Sequence, residues 1–246
     1  MIDYGLVVSM MAAIGIPSLA ALRWSLSTAE SEYGIVDLAI GPVLAGVVVG
    51  RLTTLAFDDP GSIGSLSDML VVRSGVEFWP GVAAAAGVVA FSARRDGVSP
   101  ADRMRALAPF AMLGYASYEA ACVFRDGCLG PVAALGLRPP GLEVTMVPVG
   151  WLMALVVTAG AVGVRRLAST GIPTSAVLAT AIAVTASARS VGSIWLPHVG
   201  DGLTRQHLTS VIVAGCSIAW LAVAVVRADD VDDDTRDRGI SGWPQT

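Results

Sequence analysis

Two arginines, Arg51 and Arg189, stand inside long apolar runs of this 246-residue chain. Carrying a charge to the centre of a bilayer costs about 3 kcal/mol or more, so such a residue faces a cavity or a partner. A guanidinium offers a planar fork of donors that fits a phosphate or a carboxylate. Arg51 follows Gly41-Pro42-Val43-Leu44-Ala45-Gly46-Val47-Val48-Val49-Gly50. It fits two readings, an anion clamp or a side chain reaching for the interface near Asp58 and Asp59. Arg189 follows Thr185-Ala186-Ser187-Ala188 and precedes the largely apolar Ser190–Leu196, which favours an anion clamp within the bundle over a residue at a helix end. Glu119, in Tyr115-Ala116-Ser117-Tyr118-Glu119-Ala120-Ala121-Cys122, and Glu77 could each offset such a charge. Glu119 with Arg189 or Arg51 would make a buried pair, in which losing one partner costs more than losing both. Asp37 reads as interfacial.

The two histidines, His198 and His207, flank 197–206. They lack the H-x-x-x-H or H-E-x-x-H spacing of a metal site, so no metal is expected, and no nucleophile elbow is present. Cys122 and Cys128 bracket the end of an apolar run and could be joined or free, while Cys216 falls in mid-run and reads as packing.

Seven apolar stretches must position these groups, near 5–22, 35–57, 75–93, 106–124, 144–164, 174–196 and 207–226. Each has roughly the 20 residues that a helical crossing needs, and in hydrocarbon only a helix or a closed barrel satisfies its own backbone. Segments such as Pro148–Val164 and Thr174–Ala188 lack the alternation of barrel strands. The expected architecture is therefore all-α, a polytopic integral membrane protein with seven transmembrane helices. Composition agrees: 54% of residues are hydrophobic and 15% charged, with a mean hydropathy of +0.68. The first stretch has Asp3 and no arginine before it, unlike a signal peptide, and reads as a retained helix.

All sixteen basic residues are arginine. With the N-terminus outside, the inner segments hold Arg23, Arg94, Arg95, Arg103, Arg105, Arg165, Arg166, Arg227, Arg236 and Arg238. The outer loops then hold Arg73, Arg125, Arg138 and Arg205. By the positive-inside rule the expectation is N-out and C-in. Two sizeable loops, Asp58–Ser74 and 125–143, then lie outside, so chemistry is expected at the outer leaflet. Residues 1–226 form the membrane domain. Residues 227–246, with six aspartates between Asp229 and Asp237, form an acidic inner tail expected to be disordered. No basic cluster with interleaved aromatics suggests nucleic acid, and no internal repeat suggests an inverted-repeat transporter.

The order of short motifs along the chain resembles the bacterial prolipoprotein diacylglyceryl transferases. Tyr4-Gly5 opens the first stretch; Gly41-Pro42 leads to Gly50-Arg51-Leu52; Phe78-Trp79-Pro80-Gly81 opens the third. Leu113-Gly114-Tyr115 leads to Cys122 and Gly127-Cys128-Leu129-Gly130. Pro148, Arg189, Leu203-Thr204-Arg205-Gln206 and Ser210 follow. The resemblance implies a multi-pass protein of the bacterial plasma membrane with seven spans and an outer N-terminus. It implies transfer of a diacylglyceryl group from phosphatidylglycerol to the lipobox cysteine of a preprolipoprotein, whose signal peptide would be a partner, with no cofactor. Arg189 and Arg51 would bind the lipid phosphate, Trp79, Tyr4, Gln206 and Glu119 would line the substrate site, and His198, His207 or Glu119 would be the base. Departures fall on polar positions. Where the family has F-H-G-G-L, this chain has Phe78-Trp79-Pro80-Gly81-Val82, and an indole takes no proton. Where the family has G-R-x-G-N, it has Tyr118-Glu119-Ala120-Ala121-Cys122, an acid in place of a phosphate-binding arginine. The family's P-x-Q-L-Y-E becomes Pro148-Val149-Gly150-Trp151-Leu152-Met153. The alternative is a non-catalytic homologue that keeps the lipid-binding scaffold as an accessory membrane protein.

Overall fold

A computed structural model describes residues 4–24, 35–58, 60–61, 76–124, 128–139, 142–196 and 204–240. His198, Leu203, Gly127, Arg73, Arg125 and most of the Asp58–Ser74 loop lie outside the described residues. Among the described residues the chain forms seven α-helices: α1 (Tyr4–Arg23), α2 (Ile35–Asp58), α3 (Phe78–Arg95), α4 (Pro100–Ala120), α5 (Val149–Ala168), α6 (Thr174–Trp195) and α7 (Arg205–Ile240). A 3-10 turn at Ala121–Phe124 extends α4, and a strand, β1 (Val132–Leu137), precedes α5. Each expected apolar stretch falls on one helix.

Five of these helices are long and apolar enough to cross a membrane: Leu38–Asp58, Pro100–Phe124, Val149–Ala168, Thr174–Trp195 and Arg205–Val226. The expectation of seven spans is thus met for five. The first helix offers a shorter apolar segment, Val7–Arg23. The third spans 18 residues and ends in Arg94-Arg95. The backbone of α7 continues helically past the apolar segment to Ile240.

Half of the α4 span and 44% of the α6 span are buried, against 22% for the α2 and α7 spans, so α4 and α6 are the central helices. Their shared core with α5 is Met112, Leu113, Ala116, Ala154, Val157, Ala161, Val164, Val177, Ala181 and Ala188. Alanine dominates because, with lipid outside, close backbone approach replaces hydrophobic exclusion as the source of helix association. The outward faces are apolar, as at Leu155, Leu208, Ile212, Ile218 and Val223, which suits a lipid surround.

Glycines set the closest approaches. A Cβ on Gly81 of α3 would lie 2.7 Å from the Gly46 carbonyl of α2, and one on Gly46 would lie 3.1 Å from the Gly81 carbonyl. Pro17 inside α1 removes the N–H that the Ala13 carbonyl would accept. Gly114 of α4 sits against that oxygen, where a Cβ would be 2.9 Å away.

One end of the bundle is held by arginine. The α3–α4 turn runs through Asp96 and Gly97, whose φ of 73° suits glycine. Ser99 caps α4 with Pro100 at the first helical position. Buried Arg103 pairs with Asp96 at 2.7 Å and donates to Ser92. Arg105 donates to the carbonyls of Ala168, Thr170 and Ile172, filling acceptors that the end of α5 leaves open. At the opposite end a disulfide joins Cys122 and Cys128, settling the pairing that the spacing left open. A short hairpin follows: Ala133 N–H donates to Thr145 at 2.9 Å and Val147 N–H to Pro131 at 3.1 Å. Gly150 of α5 packs on Cys122, where a Cβ would also be 2.9 Å from the Glu119 carbonyl.

The Gly46–Gly81 contact yields a contrast measurable by thermal unfolding in detergent. Gly81→Val should destabilise by about 1–3 kcal/mol through overpacking. Gly87→Ala in the same helix, with open space beside it, should be neutral or stabilising by up to about 1 kcal/mol. Equal effects would remove the close approach as the reason for Gly81.

Candidate functional site

At the disulfide end, Arg189 of α6 lies at the meeting point of four helices. Its Nη1 donates to the Tyr115 hydroxyl of α4 at 3.1 Å, and its Nη2 donates to Gln206 Oε1 of α7 at 3.2 Å. The Phe78 ring of α3 lies under the guanidinium, 4.5 Å from its centroid, a cation–π contact that strengthens away from water. Glu119 Oε1 is 3.9 Å from Nη1, an ion pair beyond hydrogen-bond length. The Arg189 side chain is 17% exposed. Its hydrogen bonds among the described residues go to neutral oxygens and use two of five donors, leaving the fork open to a further anion.

Neighbouring side chains continue the arrangement along α6 and α7. Ser193 Oγ is 2.7 Å from His207 Nδ1 and donates toward the Ser190 carbonyl at 3.0 Å. Trp79 Nε1 donates to Ser210 Oγ at 3.0 Å, and Ser210 donates to the Gln206 carbonyl at 2.7 Å. Phe78 packs on Trp79 and on Tyr115. Thr204 accepts the His207 backbone N–H and caps α7.

A second ionic group closes the rim. Arg205 pairs with buried Glu77 at 2.7 Å and with Asp58 at 3.1 Å. Its guanidinium lies over Phe57, 4.7 Å from the centroid. The Glu77 N–H donates to the Gly50 carbonyl at 3.1 Å and to Thr54 Oγ1 at 3.1 Å, which ties the start of α3 to the end of α2.

Of the residues singled out from the sequence, Arg189, Glu119, Trp79, Gln206 and His207 come together here. Arg51 is buried in α2 next to Gly50, on the helix that packs against α3, while Asp58, its expected interfacial neighbour, pairs with Arg205. Glu119 pairs with Arg189, one of its two expected partners. Tyr4 is 78% exposed at the start of α1. His198 lies outside the described residues. Among the described residues no group of three His, Cys, Asp or Glu could hold a metal ion.

Sequence reasoning overlooked Tyr115, Phe78 and Ser193 as site residues. The signal was present as helical spacing: Tyr115 and Glu119, Arg189 and Ser193, and Gln206 and Ser210 are each four apart, which puts each pair on one face.

A double-mutant cycle on Glu119→Ala and Arg189→Ala tests the pair by denaturant unfolding in detergent. Each single change should cost about 2 kcal/mol by stranding a buried charge. The double variant should lose less than the sum by about 1 kcal/mol, and additivity within about 0.3 kcal/mol would dismiss the coupling.

The chain matches no protein-family model, and none of the curated proteins compared with it matches either.

Proposed function

We propose that this chain handles an anionic phospholipid, with Arg189 binding the phosphate, as a divergent relative of the prolipoprotein diacylglyceryl transferases. The observation that carries this reading is the Arg189 guanidinium, part open, hydrogen-bonded to neutral Tyr115 and Gln206, and 3.9 Å from Glu119. A phosphate oxygen would complete its unused donors in a medium that strengthens the contact. An apolar groove that includes Ala120, Phe124, Trp151 and Leu155 starts one residue beyond Glu119 and suits an acyl chain.

In the transferase reading, the thiol of an acceptor cysteine gives its proton to a base. His207 is the histidine among the described residues, its ring held by Ser193. The thiolate sulfur attacks the glyceryl carbon attached to phosphate, forming a thioether. The carbon–oxygen bond breaks, and the headgroup leaves as glycerol phosphate with the electron pair. Arg189 offsets the charge gathered on that phosphate. A second reading, a non-catalytic lipid-binding homologue, is favoured by Glu119, whose carboxylate competes with any anion for Arg189.

The positive-inside rule supports an outward-facing site in a bacterial plasma membrane. Arg94, Arg95, Arg165 and Arg166 end α3 and α5 at the pole opposite Arg189. A reporter joined after Thr246 should work only in the cytoplasm, and activity restricted to the outside would reverse the orientation.

The decisive assay supplies labelled phosphatidylglycerol and a lipobox peptide to the inserted protein. Label should pass to the peptide thiol and fall by about a hundredfold in Arg189→Gln, the order of losing one transition-state charge partner. Lipid binding without label transfer would leave the non-catalytic reading, and no retention of anionic lipid at all would sink both.

A further inference from the structure

The hairpin that β1 forms with 145–147 bares apolar side chains. Leu135 is 87% exposed, and Val132, Leu142 and Val144 are exposed with it. Between Leu129 and Pro148 the charged residues are Arg138 and Glu143, both at the turn of the hairpin. Both are exposed, and Arg138 Nε donates to the Leu142 carbonyl at 3.2 Å. A two-stranded ribbon has little stability of its own in water. An apolar patch bared on both of its segments marks a surface that something covers.

The root of the hairpin sits beside two tryptophans at helix ends. Gly130 packs on the end of α6, where a Cβ would be 3.2 Å from the Trp195 carbonyl. The Val147 N–H donates to Pro131 just before α5 begins. Trp195 is the last residue of α6, and Trp151 falls in the first turn of α5. Both are exposed, and Trp151 Nε1 donates to the Ala120 carbonyl at 3.0 Å. An indole with an apolar body and a satisfied N–H is the kind of side chain that gathers at the boundary between membrane and water. The hairpin thus starts level with that boundary. Only 28% of the α5 span is buried, so the helix that carries the hairpin stands at the rim of the bundle. Phe124, Leu152 and Leu155 are exposed beside the root and continue the bare apolar surface along the outward side of the helices.

We infer that this hairpin docks on the lipid surface at the disulfide end, with Leu135 and Val132 in the membrane interface and Arg138 among the headgroup phosphates. A strand of six residues is about 20 Å long. Standing upright, it would lift bare leucine and valine into water. Lying along the leaflet, it joins them to the apolar surface that the helices already present. The ribbon goes no deeper than the interface, because the N–H and C=O groups along its outer edges need water or headgroup partners. Arg138 suits that depth, since its aliphatic stem can lie on apolar surface while its guanidinium meets phosphate oxygens. Lipid is the occupant because the patch runs on from faces that lipid surrounds. The inference stands apart from the phosphate reading of Arg189 and needs only that the bundle sits in a bilayer.

The experiment places the full chain, with its free cysteine removed by Cys216→Ser, in vesicles of phosphatidylglycerol and phosphatidylethanolamine. A nitroxide is attached at Leu135→Cys, Arg138→Cys or Leu155→Cys, one at a time. All three positions are exposed, so the label displaces no packed neighbour. Power-saturation EPR then compares relaxation by oxygen, which concentrates in lipid, with relaxation by a nickel chelate, which stays in water. Oxygen should dominate severalfold at Leu155 on the outward side of α5, by less at Leu135, and the two should be near balance at Arg138. Dominance of the chelate at Leu135 puts the hairpin in water and overturns the inference. Low access to both reagents at Leu135 means that protein covers the strand, a second copy where spin–spin broadening appears as well, and overturns it too.

Discussion

A guanidinium placed among apolar helices must be solvated by the protein, and the disulfide end of this bundle is arranged around that demand. Burial leaves little room for water to do it, and the charge cannot be shed. Tyr115, Glu119, Gln206 and Phe78 supply in its place a hydroxyl, a carboxylate, an amide oxygen and an aromatic face, drawn from three helices around α6. These groups meet only if the helices sit close. The glycines at Gly46, Gly81 and Gly114 therefore belong to the site as much as to the scaffold.

Arginine is used differently at the two poles. Arg103 and Arg105 are spent on structure, one in a short pair with Asp96 and the other on the carbonyls that follow α5. Arg205 likewise ties α7 to α2 and α3 through Asp58 and Glu77. Arg189 differs in that its carboxylate stands off at 3.9 Å and its hydrogen-bond partners are neutral. Arg103 and Arg205 each meet a carboxylate at 2.7 Å and Arg105 meets three carbonyls, and Arg189 has neither kind of contact.

The helices were legible because each carries an uninterrupted apolar run, and their lengths translate directly into rise along an axis. Arg189 and Glu119 were legible because a charge in such a run is costly enough to need a reason. Their pairing was not fixed, since Arg51 satisfied the same pattern. That Arg189 meets Glu119 depends on helix rotation and neighbour order, and one-dimensional spacing does not determine either. Tyr115 and Ser193 escaped notice because a lone hydroxyl in a helix commonly bonds its own backbone, as Ser117 does with Leu113. Only the three-dimensional neighbours separate the two uses. The span count is less complete than the helix count, because α1 and α3 are shorter or end in charge.

The Cys122–Cys128 link closes a short loop, its cysteines six residues apart. Constraining so small a ring removes roughly 2 kcal/mol of chain entropy from the unfolded state, against nearly 5 for a ring of a hundred residues. Its larger effect is local. It works as a splint on the last turn of one helix, so that the acid one turn earlier keeps its bearing when the ring of helices breathes.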